Sequence, residues 1–159
     1  MLTSLVVATT LALSVAPGKQ LRFGIIGTGC IGQEHIRNLH LIEEATIVAI
    51  ADTHAASRDA ALETLRSLGD DADVCCMSDY RELLALPQVD AVLVATPNDH
   101  HRECLRDVAA SGKHCLVEKP LCIDVAGCAE AEALEARVVA AAHARGERPP
   151  LFWVGMEYR

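Results

Sequence analysis

The stretch Phe23-Gly24-Ile25-Ile26-Gly27-Thr28-Gly29-Cys30-Ile31-Gly32 decides the fold of this 159-residue chain. An apolar run with the pattern of a β-strand enters the motif G-x-G-x-x-G, and helical periodicity follows it. Gly27 allows a tight turn, Gly29 lets backbone approach a phosphate group, and Gly32 lets the helix pack closely on the strand. The free N–H groups of the first helical turn, beginning at Cys30, point at the same place. The stretch therefore predicts a site for the pyrophosphate of a dinucleotide.

A second apolar run, residues 45–51, ends at Asp52, about twenty residues after the last glycine. A carboxylate at this position suits hydrogen bonds to the 2′-hydroxyl of a ribose. It would also repel a 2′-phosphate, although Arg58 is near enough in the chain to offset part of that repulsion. The spacing predicts NAD as the cofactor and leaves NADP open. The alternative is a structural βαβ unit with Asp52 as a solvated strand end.

Composition and charge exclude several classes of function. With 51% hydrophobic and 23% charged residues the chain is globular, and its length allows one domain with a real core rather than two. The net charge of -8 argues against a nucleic-acid groove and against an anionic membrane surface. Aromatic residues make up only 3% of the chain, so neither a base-stacking platform nor a membrane belt is indicated.

The seven cysteines predict free thiols in a reducing, cytoplasmic compartment. Their number is odd, and no C-x-x-C pair or zinc-type spacing occurs. A metal site at His100, His101 and Cys104 is the alternative to a polar helix start followed by a core position. We interpret four of the cysteines as small buried hydrophobes: Cys75, Cys76, Cys104 and Cys115.

The first twenty residues form an apolar extension. Residues 2–16 are apolar with small polar residues among them, and fifteen residues are too few to span a bilayer comfortably. The run resembles the core of a signal peptide, but no Lys or Arg precedes it, and Pro17 is an unfavourable residue after a cleavage point. We interpret residues 1–20 as an extension outside the fold, with a targeting segment as the alternative. Residues 21–159 are then one dinucleotide-binding domain.

From Leu21 the chain alternates short β-rich runs with amphipathic stretches, which is typical of a parallel sheet covered by helices on both faces. Strands are predicted from residue 21 and at residues 45–51, 74–77, 89–95, 114–117 and 151–155. Helices are predicted at residues 30–42, 55–68 and 80–86, from an N-cap at Asp99 to residue 110, and from an N-cap at Asp124 to residue 144. The first helix is expected to turn Ile31, Ile36, Leu39 and Ile42 toward the sheet. The fold class is α/β, a doubly wound parallel sheet of the Rossmann type.

Two further motifs follow at fitting intervals, Thr96-Pro97-Asn98-Asp99-His100-His101 and Glu118-Lys119-Pro120. Together with the glycine motif they make the chain resemble the nucleotide-binding half of the Gfo/Idh/MocA oxidoreductases, such as glucose-fructose oxidoreductase and inositol dehydrogenase. The resemblance covers about Leu21 to Arg159. Ligands of open α/β sheets lie beyond the carboxyl ends of the strands, so all three motifs are expected to face one crevice.

The resemblance implies a role for each motif position. Glu118 would approach the nicotinamide ribose, and Lys119 would be the catalytic residue beside the reacting carbon of a sugar or polyol. The Lys-Pro bond is commonly cis in this family, which would aim Lys119. Judged from the residues alone, Glu118 and Lys119 also fit an exposed ion pair, and His101 also fits a partner of the helix cap. No metal ligand is implied, and the implied cofactor-binding residues are Gly27, Thr28, Gly29, Cys30, Ile31, Gly32, Asp52, Thr96, Pro97, Asn98, His101 and Glu118.

Two functions follow as hypotheses. In the first, the chain is the cofactor half of an NAD(P)-dependent oxidoreductase that transfers a hydride from a sugar or polyol, and Lys119 bonds the reacting oxygen. Relatives carry a second, sheet-rich domain with further catalytic groups, which is expected beyond Arg159, so this chain would be truncated and catalytically incomplete. In the second, the chain is a Rossmann module that binds a dinucleotide or a partner without turnover. A third hypothesis, a Rossmann-like methyltransferase, would leave the E-K-P motif without a role. Whether the chain forms an oligomer is left open by the sequence.

Overall fold

A computed structural model describes residues 20–70 and 73–155, and these form one six-stranded sheet in which every strand is parallel to its neighbours. The strands are β1 (Leu21–Ile26), β2 (Ala45–Ala51), β3 (Cys75–Met77), β4 (Ala91–Val94), β5 (His114–Glu118) and β6 (Phe152–Gly155). Their order is β3-β2-β1-β4-β5-β6, which reverses direction between β1 and β4. This is the order of a doubly wound dinucleotide-binding sheet, and it confirms the predicted fold class. Residues 1–19 of the extension predicted at residues 1–20 lie outside the described residues.

Five helices of the described segments connect the strands. They are α1 (Cys30–His40), α2 (Ala55–Leu68), α3 (Tyr80–Ala85), α4 (His101–Ser111) and α5 (Val125–Ala144). The predicted cap of α5 is confirmed, because Asp124 Oδ1 accepts the N–H of Gly127 at 2.6 Å. Over residues 20–70 and 73–155, none of the helices combines the length and apolar character that crossing a membrane requires.

The predicted N-cap at Asp99 is wrong. A 3₁₀ turn, Asn98–His100, precedes α4, and no side chain caps either element. The turn forms because the Pro97 carbonyl accepts the N–H of His100 at 2.9 Å, so the chain is already turning where a cap residue would need extended backbone. The helix therefore begins one residue later than an N-cap at Asp99 predicts, at His101.

Two apolar layers, one centred on Ile25 and the other on Val92, form the core. In α1, Ile36 and Leu39 are buried as predicted, but Ile31 is 48% exposed. Ile31 lies in the first helical turn, next to the glycine loop, and lines the open space beyond the carboxyl end of β1. The prediction that it packs inward is therefore wrong.

Two of the four cysteines interpreted as core residues are buried, namely Cys104 and Cys115. Cys75 is half-buried and Cys76 is exposed. Both lie on β3, which is an edge strand of only three residues, so the sheet does not enclose them on both sides. All seven cysteines are free thiols.

Candidate functional site

A cleft of about 430 Å³ opens at the carboxyl ends of the strands, where the strand order reverses between β1 and β4. Its walls come from the glycine loop after β1, from the segment after β2, and from the segment after β4. The cleft brings together seven of the residues predicted to bind a cofactor: Gly27, Gly29, Cys30, Ile31, Asp52, Thr96 and Pro97. The other predicted residues lie outside its lining, and these are Thr28, Gly32, Asn98, His101, Glu118 and Lys119. A ligand is thus expected to enter between the β1, β2 and β4 loops.

The three motif glycines have three different structural roles. Gly27 has a φ of +90°, and a Cβ there would stand 2.6 Å from the carbonyl oxygen of Ala95. A Cβ at Gly32 would stand 2.1 Å from the carbonyl oxygen of Gly27, so the helix packs against the turn itself. At Gly29 an added Cβ would meet no protein atom within 4 Å. Only Gly29 therefore keeps space free for something that is not part of the protein.

The carboxylate of Asp52 is held at one end of the cleft by backbone donors. The N–H of Thr28 donates to Oδ2 at 2.8 Å, and the N–H of His54 donates to Oδ1 at 2.9 Å. The hydroxyl of Thr28 also donates to Oδ2, at 3.4 Å, so Oδ1 is the oxygen that keeps a lone pair for a hydroxyl of a ligand. Arg58, predicted to lie near this acid, donates instead to its backbone carbonyl at 2.6 Å. The guanidinium therefore reaches the acidic residue without neutralising its carboxylate directly.

An unpaired hydroxyl stands on the β4 side of the cleft. Thr96 Oγ1 is buried and has no hydrogen-bond partner of ordinary geometry among the described residues. The thiol of Cys104, a weak hydrogen-bonding group, lies beside it, and burial raises the pKa of that thiol to about 11. Buried polar groups are rarely left without a partner, so the hydroxyl suits a polar ligand. The open space at Gly29, the acid at Asp52 and this hydroxyl together fit a dinucleotide.

Glu118 ends β5 and is enclosed rather than paired on the surface. His35 Nε2 lies 2.7 Å from its Oε1, and the N–H of Lys119 donates to its Oε2 at 3.2 Å. The hydrogen bond from His35 is the main cause that holds the pKa of Glu118 below its usual range, and burial acts in the opposite direction. Lys119 is exposed beside it, and the Lys119–Pro120 bond is cis, as expected. The alternative of an exposed ion pair does not fit this geometry.

Sequence reasoning missed His35. Its partner is 83 residues away, so no local pattern connects the two. A weaker signal was present, because His35 follows Gly32 by three residues and shares the buried face of α1 with Ile36 and Leu39. A histidine among the apolar positions of a helix needs a polar partner, and that requirement could have drawn attention to it.

His101 joins the segment after β4, which lines the cleft, to the segment after β5. Its side chain is fully buried, with Nδ1 2.8 Å from the carbonyl oxygen of Pro120 and Nε2 3.0 Å from that of Thr96. Both ring nitrogens are thus occupied, which disfavours the alternative metal site. Moreover, residues 20–70 and 73–155 contain no cluster of His, Cys, Asp or Glu that could hold a metal ion. The geometry assigns His101 to holding the loops together, and its direct contact with a cofactor stays a prediction.

We expect His101→Ala to lower the free energy of unfolding by about 2–3 kcal/mol, since it empties a buried site and removes the donor of a buried backbone carbonyl. Its neighbour His100 is exposed, and His100→Ala should change stability by less than about 0.5 kcal/mol. Urea unfolding of both variants checks the difference. Equal, small effects would show that the loops do not depend on the buried ring.

Comparison with known proteins decides the family. The model GFO_IDH_MocA, described as an oxidoreductase family with an NAD-binding Rossmann fold, matches residues 21–143. The chain belongs to the Gfo/Idh/MocA family. It is 37% identical over 140 residues to inositol 2-dehydrogenase from Gluconacetobacter diazotrophicus, a match covering 87% of this chain and 37% of that relative.

Solved structures of similar proteins agree with this assignment. Myo-inositol dehydrogenase from Lactobacillus casei, solved with NAD(H) and myo-inositol, superposes with a TM-score of 0.71 at 26% identity, over 86% of this chain and 36% of that one. A variant of the 3-ketoreductase KijD10 from Actinomadura kijaniata, solved with NADP, gives a TM-score of 0.64 at 25% identity, over 75% of this chain and 36% of that one.

This Gfo/Idh/MocA chain therefore spans little more than a third of the length of the relatives it matches. The predicted family, its Rossmann fold and NAD as the cofactor class are confirmed. One similar structure holds NADP, which agrees with leaving that cofactor open. Which residues of this chain contact the cofactor stays a prediction.

Proposed function

We propose that this domain binds NAD in the cleft and acts as the cofactor half of a dehydrogenase that transfers a hydride between NAD and a polyol or sugar. The single observation that carries the proposal is the open space at Gly29, at the start of α1 and between Asp52 and Thr96. A pyrophosphate there would accept hydrogen bonds from the free N–H groups of the first turn of α1. Asp52 would accept hydrogen bonds from the hydroxyls of the adenine-side ribose. Its negative charge would repel a 2′-phosphate there, which favours NAD over NADP.

The chemistry expected at the nicotinamide end belongs to the β5 loop. Bound NAD supplies a ring that accepts or donates a hydride. Lys119 would hydrogen-bond the oxygen on the carbon that reacts and stabilise the charge on that oxygen. Glu118 would accept a hydrogen bond from a hydroxyl of the nicotinamide ribose. Lys119 is exposed among residues 20–70 and 73–155, so substrate binding and exclusion of water would need a further part of the protein.

A polyol is the substrate class that the relatives favour. Inositol 2-dehydrogenase and myo-inositol dehydrogenase are named for a cyclic polyol, and both match most of this chain. A cyclic polyol presents several secondary hydroxyls, each of which a residue such as Lys119 can hydrogen-bond. We further propose a cytoplasmic location, which the seven free thiols support.

Calorimetric titration of the purified chain with NAD and with NADP tests the cofactor part. We expect micromolar NAD binding and weaker NADP binding. A chain that is folded by circular dichroism and binds neither would overturn the proposal. Formation of NADH on adding myo-inositol would further distinguish an enzyme from a binding module, because a module without turnover forms none.

Asp52→Ala is expected to weaken NAD binding about tenfold and to narrow the difference between NAD and NADP. The change removes the acceptor for the ribose and the charge that repels a 2′-phosphate. Asp59→Ala is the matched control, since Asp59 is an exposed acid on the nearby helix α2 and lies outside the cleft lining. Calorimetry with both cofactors measures the effect. Unchanged affinities in Asp52→Ala would refute the assignment of this acid.

A further inference from the structure

Three polar side chains are buried among the described residues, namely Thr28, His35 and His101. Thr28 belongs to the glycine loop, and His101 is occupied by two backbone carbonyls. His35 is different, because its partner is the carboxylate of Glu118, at the end of β5. It is 8% exposed on the inner face of α1, where an apolar residue would avoid the cost of burying an imidazole. The pair therefore needs an explanation beyond packing.

The surroundings of Glu118 restrict its carboxylate to one position. The ring of His35, on α1, hydrogen-bonds Oε1 of Glu118. The backbone N–H of Lys119, in the loop that follows β5, donates to Oε2. On the third side is Gly155 of β6, where an added Cβ would come within 3.2 Å of Oε1. The side chain of Glu118 is only 18% exposed. Removing the ring of His35 would take away the one side-chain hydrogen bond that this enclosure provides.

We propose that His35 is a positioning residue, whose ring fixes the Glu118 carboxylate in the position from which it would accept a hydroxyl of the nicotinamide ribose of the bound cofactor. The proposal rests on the proposed function, since it assigns to His35 a role in the same site. His35 itself lies outside the lining of the cleft and would act only through Glu118. The same contact fixes the residue that precedes Lys119 and so limits where the exposed lysine can reach.

The direction of the pH dependence follows from the titratable groups that face Glu118. These are His35 from α1 and Lys119 from the β5 loop, and both hold the pKa of Glu118 below its usual range. From β6, Gly155 contributes no charge. Without the ring, burial acts more strongly and the pKa of Glu118 rises. A protonated Glu118 is a poorer acceptor, so the affinity for NAD would begin to fall at a higher pH than in the natural chain.

The test follows the Glu118 carboxyl carbon by NMR through a pH titration of the full chain, together with NAD calorimetry between pH 4.5 and pH 8. His35→Phe removes the donor and fills the space, while His35→Gln keeps a neutral donor. Ile36→Val is the matched control, because it trims a buried neighbour on α1 that has no polar contact with Glu118. Should His35→Phe fail to fold, His35→Gln carries the comparison.

In His35→Phe we expect the titration midpoint of Glu118 to rise by at least about one pH unit, with about fivefold weaker NAD binding at pH 7.5. His35→Gln should recover part of both effects, and Ile36→Val should show neither. An unmoved midpoint in His35→Phe would overturn the proposal, as would a moved midpoint with unchanged NAD affinity at every pH. If the natural chain binds no NAD, the proposed function fails, and the NMR titration still decides whether the ring controls the carboxylate.

Discussion

Gly29→Val is expected to weaken NAD binding at least about a hundredfold, or about 2.7 kcal/mol, while the domain stays folded. A Cβ at this position meets no protein atom within 4 Å, so the side chain has room in the free protein. The backbone of Gly29 has a φ of −67° and a ψ of −160°, an extended conformation outside the left-handed region that favours glycine. The branched side chain would instead occupy the space that the proposed function assigns to the pyrophosphate.

Calorimetric titration with NAD and a thermal melt of the same sample measure this expectation. Gly29→Ala serves as a graded control, because one methyl group fills less of the cleft and should reduce affinity less. A folded Gly29→Val protein with the affinity of the natural chain would show that the glycine loop does not receive the cofactor.

Gly32→Ala is expected to have the opposite profile, with a loss of at least about 3 kcal/mol in the free energy of unfolding and a fall of about 10 °C in Tm. The added Cβ would stand 2.1 Å from the carbonyl oxygen of Gly27 and 3.0 Å from its carbonyl carbon. Both are backbone atoms of the tight turn after β1, so neither can move as a flexible side chain would. Helix α1 would have to shift away from the turn.

Urea unfolding checks this expectation, with Gly29→Ala as the matched control in the same loop. Gly29→Ala should retain stability to within about 1 kcal/mol, because its methyl group meets no protein atom within 4 Å. If Gly32→Ala unfolds at the same urea concentration as the natural chain, then close packing of α1 on the turn does not contribute to stability.

Much of the fold was predictable because its signals are local. The alternation of apolar runs and amphipathic stretches predicted all six strands and the helices between them. Gly69 and Gly112 end α2 and α4 in the left-handed conformation, and Asp124 caps α5. In each case the interacting groups lie within one helical turn of each other, so the printed sequence contains both partners side by side.

The cleft was predictable in part for a related reason. In a βαβ unit the two strands are neighbours in the sheet. The loops at their carboxyl ends therefore lie side by side, independently of how the rest of the chain folds. The N–H of Thr28 and the carboxylate of Asp52, 24 residues apart, come together in this way. The local errors have physical causes as well. Asp99 sits in a turn that begins at Pro97, and Ile31 lines the open cleft instead of packing on the sheet.

By itself the sequence determined the strand–glycine turn–helix unit, the family motifs and the acid that ends β2, because these depend on spacing along the chain. Only the tertiary structure decided which side chains meet across the sheet. His35 reaches Glu118 over 83 residues, and His101 reaches Pro120 from the neighbouring loop. Both contacts require β5 to lie beside β4 and α1 to pack close to the glycine turn. That arrangement results from burying the apolar faces of all the elements together, which no local spacing in the sequence encodes.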